Sequence, residues 1–183
     1  SSAASDVYKR QYAKSRGIPV STTPRSPYSI DQNLWGRSIE CGILEHPDQE
    51  PPEEVFEWTA PIEKTPDKPE YLTLEFSDGD PVGVNGEKMN PVHLVQELNR
   101  MGGSHGIGRV DHVEDRLVGI KSREVYECPA AMVILEAHKD LEKTVLTRHE
   151  NSFKQQVDTQ WAFLAYAGLW MDPLREDLEG FIN

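Results

Sequence analysis

The order of its apolar patterns constrains this chain most: strand-type runs are followed by helix-type runs, without regular strand–helix–strand alternation. That order favours an α+β fold, an antiparallel-rich sheet with packed helices, over a doubly wound parallel sheet. Tyr71-Leu72-Thr73-Leu74-Glu75-Phe76 is a strand by composition and length, and Ser77-Asp78-Gly79-Asp80 turns the chain into a second strand over 81–84. Asn85-Gly86 is a further turn signal. A helix follows, capped by Asn90, with Pro91 in its first turn, and Val92, Val95, Leu98 and Met101 on its buried face. Gly102-Gly103 reads as its end. Two short β-type runs come next, Val110–Val113 and Leu117–Ile120. Helical spacing then takes over, from Pro129 to about His149 through Met132, Leu135, Leu141 and Val145, and from about Asn151 to Leu169 through Phe153, Val157, Trp161 and Leu164. The Pro- and Ser-rich stretch 18–37 reads as mostly loop, and the Pro-studded acidic stretch 46–70 as an extended surface connection.

The two ends read differently from the middle. Ser1 to Gln11 is small, polar and without periodicity, and is set apart as a non-native or disordered leader. At the other end Asp172-Pro173 forms an N-cap and first helical position, and Leu174, Leu178, Phe181 and Ile182 supply an apolar face. The chain stops at Asn183 in mid-pattern, with nothing left to cover that face, so cuts are expected at both ends.

Charge and cysteine content narrow the function classes. The formal net charge is -12, from 31 acidic and 19 basic side chains, which repels phosphate backbones and anionic membranes. No apolar run approaches the ~18 residues of a membrane span. Cys41 and Cys128 stand alone rather than in a CxxC pair, which fits a reducing, cytoplasmic setting. The six histidines form no HExxH or His/Cys pattern, so no metal site is expected.

Two segments concentrate polar residues among glycines and aromatics. One is SPYSIDQNLWGRSIE, residues 26–40; the other is HGIGRVDHVEDR, residues 105–116, continuing through GIKSREVYE at 119–127. Hydroxyls, carboxylates and guanidinium groups on Gly-bearing loops suit a small zwitterionic ligand, because a bound ammonium wants a carboxylate and a ligand carboxylate wants hydroxyl and backbone donors. Blander roles exist for each: Ser29 can bond its own turn, Asp31 can cap one, and Glu114 can simply face Arg116. His105-Gly106-Ile107-Gly108 lacks both G-x-G-x-x-G and GxxxxGK[ST] spacing, so it is weak as a phosphate loop.

Both segments resemble the signature runs of argininosuccinate synthase. SPYSIDQNLWGRSIECGILE is similar to S-P-[YW]-S-[IM]-D-x-N-L-x-x-x-S-x-E-x-G-x-L-E, and HGIGRVDHVEDRLVGIKSREVYE to H-G-[IV]-G-R-x-D-x-V-E-x-R-x-[IV]-G-x-K-S-R-G-x-Y-E. The likeness runs from about Tyr12 to the end, so residues 12–183 would be a partial synthetase, or citrulline-binding, domain without its C-terminal tail. The resemblance implies a carbon–nitrogen ligase of arginine biosynthesis and the urea cycle. In that family ATP, with Mg as its counter-ion, activates citrulline, and aspartate displaces AMP, with pyrophosphate also released. It implies citrulline contacts for Ser29, Ser38, Glu114 and Tyr126, and none of the four is read as a catalytic base. The family's ATP loop and aspartate-binding residues lie in an N-terminal half that this sequence does not contain, so the chain alone is expected to be inactive. A homotetramer is implied for the full-length protein. Glu124 departs from the pattern, standing where the family run has glycine; a positive φ there would strain it and tilt Tyr126. The competing reading is a non-catalytic amino-acid-binding or oligomerisation module.

Overall fold

Most of the β-type runs join two antiparallel sheets, and the helical runs of the C-terminal third form helices, as an α+β order requires. The computed structural model describes residues 2–19 and 27–182; part of the 18–37 stretch therefore lies outside the described residues. The chain divides into two units, Ser1–Val133 and Ile134–Asn183.

The first unit opens with α1 (Ser2–Ser15). This helix runs through Gln11, so the position taken from the sequence as the end of a leader is interior to one element. Lys9, Arg10, Gln11 and Ala13 are all good helix formers, and propensity there does the work that apolar periodicity does elsewhere.

Four strands make the larger sheet: β1 (Ser29–Gln32), β2 (Arg37–Glu40), β6 (Arg109–Asp115) and β7 (Lys121–Glu127), in the order β1-β2-β7-β6. The 18–37 stretch is thus not all loop: Asn33 accepts the backbone N–H groups of Trp35 and Gly36, making the tight turn that folds β1 back on β2. The second β-type run also moves. Leu117, Val118 and Ile120 are exposed at the tip of the β6–β7 hairpin, where Gly119 takes a φ of +75°, and the strand proper starts at Lys121. Local apolar content suggested a strand there; the seven-residue register from Arg109↔Glu127 to Asp115↔Lys121 excludes it.

Packed under this sheet is a small core of Ile39, Leu44, Val55 and Val125, with Tyr28 and Phe56 against it. Full burial of each such aliphatic side chain stabilises by about 1.5–3 kcal/mol. Leu44 and Val55 come from two short 3-10 turns, Gly42–Glu45 and Glu53–Val55. The 46–70 stretch is therefore not only a surface connection, since it carries part of the core.

The smaller sheet is a meander of β3 (Leu74–Ser77), β4 (Asp80–Val84) and β5 (Glu87–Lys88). Its two turns use Asp78-Gly79, at φ +50° and +84°, and Asn85-Gly86, at +53° and +83°. Paired positive φ values of this kind match the twist of antiparallel strands. α2 (Pro91–Ser104) packs on β4. Asn90 accepts the His93 N–H at 3.0 Å, as an N-cap should. Leu94, Val95 and Leu98 are buried, while Val92 is half exposed, so the buried face is rotated from the one read in the sequence. Gly102 and Gly103 do not end the helix. A Cβ on Gly103 would lie 2.1 Å from the Trp58 carbonyl oxygen and one on Gly102 would lie 3.1 Å from Pro129, so these glycines permit close approach inside the last turn.

Three helices close the chain: α3 (Pro129–Val145), α4 (Arg148–Tyr166) and α5 (Pro173–Ile182). α4 starts earlier than its apolar spacing indicates because Thr147 and Glu150 form a capping box. Asp172 accepts the Leu174 N–H at 2.9 Å at the start of α5. Within the second unit, α4 and α5 meet through Phe153 and Phe181, edge to face with centroids 5.0 Å apart. Among the described residues no helix is long and apolar enough to cross a membrane.

Candidate functional site

In a strand, successive side chains point to opposite faces, and directly paired residues share a face. The register of the four-stranded sheet then sorts its residues. Asp31, Ser38, Tyr126 and Val110 form one row, since Asp31 pairs with Ser38, and Tyr126 with both Ser38 and Val110. The next row on the same face holds Ser29, opposite Glu40, and His112, opposite Glu124; the third holds Glu114 opposite Ser122. All four residues assigned by resemblance, Ser29, Ser38, Glu114 and Tyr126, therefore lie on one face. Ser38 and Tyr126 are direct neighbours, whereas Glu114 lies two rows from them, toward the hairpin tip.

Arg116, just past the end of β6, ties this face together. Its guanidinium donates to Ser122 Oγ at 2.9 Å, to Glu40 at 3.0 Å and to Glu124 at 2.5 Å. Glu114 is 3.8 Å from Arg116 Nε, longer than a hydrogen bond. Three carboxylates thus surround one guanidinium among the described contacts, which leaves this end of the face electronegative. The Tyr126 hydroxyl donates to Glu124 at 3.3 Å, and its ring stacks on His112 with centroids 5.5 Å apart. Burial first, then the charges of Glu124 and Glu114, push the Tyr126 phenol up to about 12. It stays protonated at neutral pH. Burial also pushes the Glu124 carboxyl up, but hydrogen bonds from Arg116 and Ser122, the Arg116 charge and the Tyr126 hydroxyl together outweigh it and hold the group below the usual range.

Glu124 lies inside β7 with φ in the extended range, so it carries none of the strain that a left-handed position would impose. Sequence reasoning gave no role to Glu40 or Ser122, treated Glu124 only as a departure from the family run, and treated Arg116 only as a partner for Glu114. Their signal was the two-residue alternation Ser38-x-Glu40, His112-x-Glu114 and Ser122-x-Glu124-x-Tyr126, which places all of them on the face of the four assigned residues.

The opposite face is built for packing. Glu127 is fully buried and accepts from Arg37 at 3.0 Å, from the backbone N–H groups of Glu57, Trp58 and Thr59, and from Thr59 Oγ1 at 2.8 Å. Arg109 clamps Glu53 and the Thr59 carbonyl, with its guanidinium 3.8 Å from the Phe56 ring centre. Arg123 holds Asp111 and the carbonyls of His46 and Gln49. These arginines pin the loop over the core. The His105–Gly108 segment is structural too: a Cβ on Gly108, whose φ is +109°, would lie 2.5 Å from Pro129 N.

A cleft of about 600 Å³ lies at the β1–β2 turn, lined by Gln32, Asn33, Leu34, Trp58, Gln96, Asn99 and Arg100. None of the four assigned residues lines it. Asn33 and Asn99 are already committed to the Trp35–Gly36 turn and to Leu34 O and Ala130 N. The polar face, with its surplus of carboxylates and its hydroxyls, is the better candidate for recognising a charged small molecule.

Comparison with known proteins agrees with the motif resemblance. The family model "Arginosuccinate synthase C-terminal domain" matches residues 28–183. An argininosuccinate synthase of Pyrococcus furiosus is 59% identical over 176 residues, covering 96% of this chain and 42% of that protein. One of Methanopyrus kandleri is 56% identical over 172 residues, covering 94% and 43%. One of Dehalococcoides mccartyi is 55% identical over 173 residues, with the same coverage of 94% and 43%. The chain thus spans 42–43% of the length of these curated relatives.

Proposed function

The chain belongs to the argininosuccinate synthase family, and from that membership we propose that it supplies the citrulline-binding surface of an ATP-dependent carbon–nitrogen ligase of arginine biosynthesis. The proposed overall reaction joins citrulline and aspartate to argininosuccinate, with release of AMP and pyrophosphate. One observation carries the reading: Ser29 and Ser38 come from one hairpin and Glu114 and Tyr126 from another far along the sequence, yet all four lie on a single sheet face.

Each has chemistry that suits citrulline. Glu114 holds the α-ammonium through a charge-assisted contact, and the two serine hydroxyls donate to a carboxylate or accept from the ureido group. What these residues contribute is orientation and exclusion of water rather than proton transfer, in keeping with a phenol held neutral.

The nucleotide fits this surface poorly. Glu40, Glu114 and Glu124 around Arg116 repel a triphosphate, so no step is routed through ATP on this face. In the proposal ATP, with Mg as its counter-ion, and aspartate are held elsewhere in a protein more than twice this length. The full-length assembly is a cytoplasmic homotetramer in the same reading.

The test is Glu114→Gln in the full-length enzyme, which keeps shape and removes one charge. Loss of a charge-assisted contact costs about 1.5–3 kcal/mol, or about tenfold to a hundredfold in citrulline affinity, with the ATP KM nearly unchanged. An exposed pair with Arg116 alone would be worth about 0–1 kcal/mol, so unchanged citrulline KM and kcat would remove Glu114 from the site. A second expectation follows from the placement of the nucleotide: the 183-residue chain alone releases no pyrophosphate from ATP in the presence of citrulline. Appreciable release would overturn it.

A further inference from the structure

Glu124 occupies the middle row of the polar face, between Ser122 and Tyr126 on β7, and is only 6% exposed. Both its oxygens are engaged. Oε1 accepts from Arg116 at 2.5 Å and Ser122 Oγ at 3.1 Å, and Oε2 accepts from the Tyr126 hydroxyl at 3.3 Å. A buried carboxylate is stable only while such donors stay in place, so it orders them as much as they stabilise it.

The consequence for Tyr126 is directional. A phenol has one proton to donate and lone pairs with which to accept. With the proton aimed at Glu124, Tyr126 offers a ligand its lone pairs alone. Arg116 is likewise spent on the sheet, held by Glu124 on one side and Glu40 at 3.0 Å on the other, rather than turned outward toward an anion.

We propose that Glu124 is a positioning residue that makes Tyr126 a hydrogen-bond acceptor and holds Arg116 against the sheet, so that this end of the face selects a nitrogen-bearing donor group over a carboxylate or phosphate. The inference rests on the reading that the face binds citrulline, whose ammonium and ureido nitrogens are donors of that kind. A glycine here, as in the family run, would leave the Tyr126 proton available to the ligand and reverse the direction of that contact.

The test uses the full-length enzyme with Glu124→Gln and Tyr126→Phe, singly and combined, reading citrulline KM, ATP KM, kcat and the melting temperature. Glu124→Gln can turn its amide toward the phenol and donate to it, spoiling the acceptor. Each single variant is expected to raise citrulline KM about tenfold, with ATP KM and kcat within about twofold. The double variant is expected to be no worse than either single one, because both remove the same acceptor. Glu124→Asp, which restores the carboxylate, recovers part of the loss. If Glu124→Gln leaves citrulline KM unchanged while Tyr126→Phe raises it, the inference fails and the citrulline site stands. Additive losses in the double variant also overturn it, since Glu124 then acts by a separate route. If neither Tyr126→Phe nor Ser38→Ala raises citrulline KM, the citrulline reading fails and takes this inference with it. Should Glu124→Gln not fold, Glu124→Gly carries the same cycle with Tyr126→Phe.

Discussion

The two faces of the four-stranded sheet use the same residue types to opposite ends. Beneath it, Arg37, Arg109 and Arg123 each close on carboxylates and loop carbonyls, and the Glu127 carboxylate has five donors around it. Above it, among the described contacts, one guanidinium lies beside three carboxylates. Paired charge under a loop makes a scaffold. Charge left in surplus on an open face makes a surface that can still gain energy from a ligand. The difference lies in the ratio of donors to acceptors and in what covers them, not in composition.

The largest expected effect breaks or upholds the scaffold half of this comparison. Arg37 is 2% exposed and Glu127 fully buried, so Arg37→Gln leaves a buried carboxylate without its paired guanidinium, though with four donors still around it, and costs about 3–5 kcal/mol, read by urea unfolding of the full-length protein. A loss under about 1 kcal/mol would show that the lower face is no more coupled than a surface pair.

An intermediate effect comes from pH. On the acid side, Asp111 is held low chiefly by its hydrogen bonds from Arg123, and Glu124 by the balance described above. Groups depressed by folding contribute stability that is present above their unfolded values and is lost as pH falls through the folded ones. One carboxylate lies on each face, so Asp111→Asn and Glu124→Gln should each flatten part of the stability decline below about pH 4.5. On the alkaline side the sign reverses. Tyr126 is raised from 10.0 to about 12, so the unfolded chain deprotonates first and stability falls as pH rises through that window. Tyr126→Phe should remove this component, and an unaltered alkaline limb would show that the phenol is not buried against carboxylates.

The smallest expected change is the most discriminating. Arg116 has a side chain 41% exposed, but its partner Glu124 is 7% exposed, so Arg116→Gln should cost about 1–3 kcal/mol of stability, less than Arg37→Gln. It should nonetheless alter citrulline KM, because Glu124 and Glu40 lose their shared partner. Equal destabilisation by Arg37→Gln and Arg116→Gln would erase the distinction between the faces.

Much of this was legible in the residues, for identifiable reasons. The Asp78-Gly79 and Asn85-Gly86 turns, the Asn90 cap and the Asp172-Pro173 helix start are set by local chemistry, and they formed where expected. The α+β class followed from the order of the patterns. What failed needed information from elsewhere in the chain. Gly102-Gly103 looked like a stop because the Trp58 carbonyl pressing on Gly103 is 45 positions away in sequence. Leu117–Ile120 looked like a strand because apolar content does not report register. The 46–70 stretch looked like surface because its anchors, Glu127 and Arg109, belong to strands far downstream. The four assigned residues came from motif resemblance, and only the pairing register shows that they share a face with Glu40, Ser122 and Glu124.

The alternation along β7 has a consequence for how this protein can change. Arg123, Val125 and Glu127 serve the underside while Ser122, Glu124 and Tyr126 serve the top, on a single seven-residue strand. Substitutions can retune either set independently. A one-residue insertion or deletion within the strand would shift the frame and exchange them, turning a serine, a glutamate and a tyrosine into the core and exposing the scaffold's anchors. Evolution can therefore edit the letters of this strand but not its spacing.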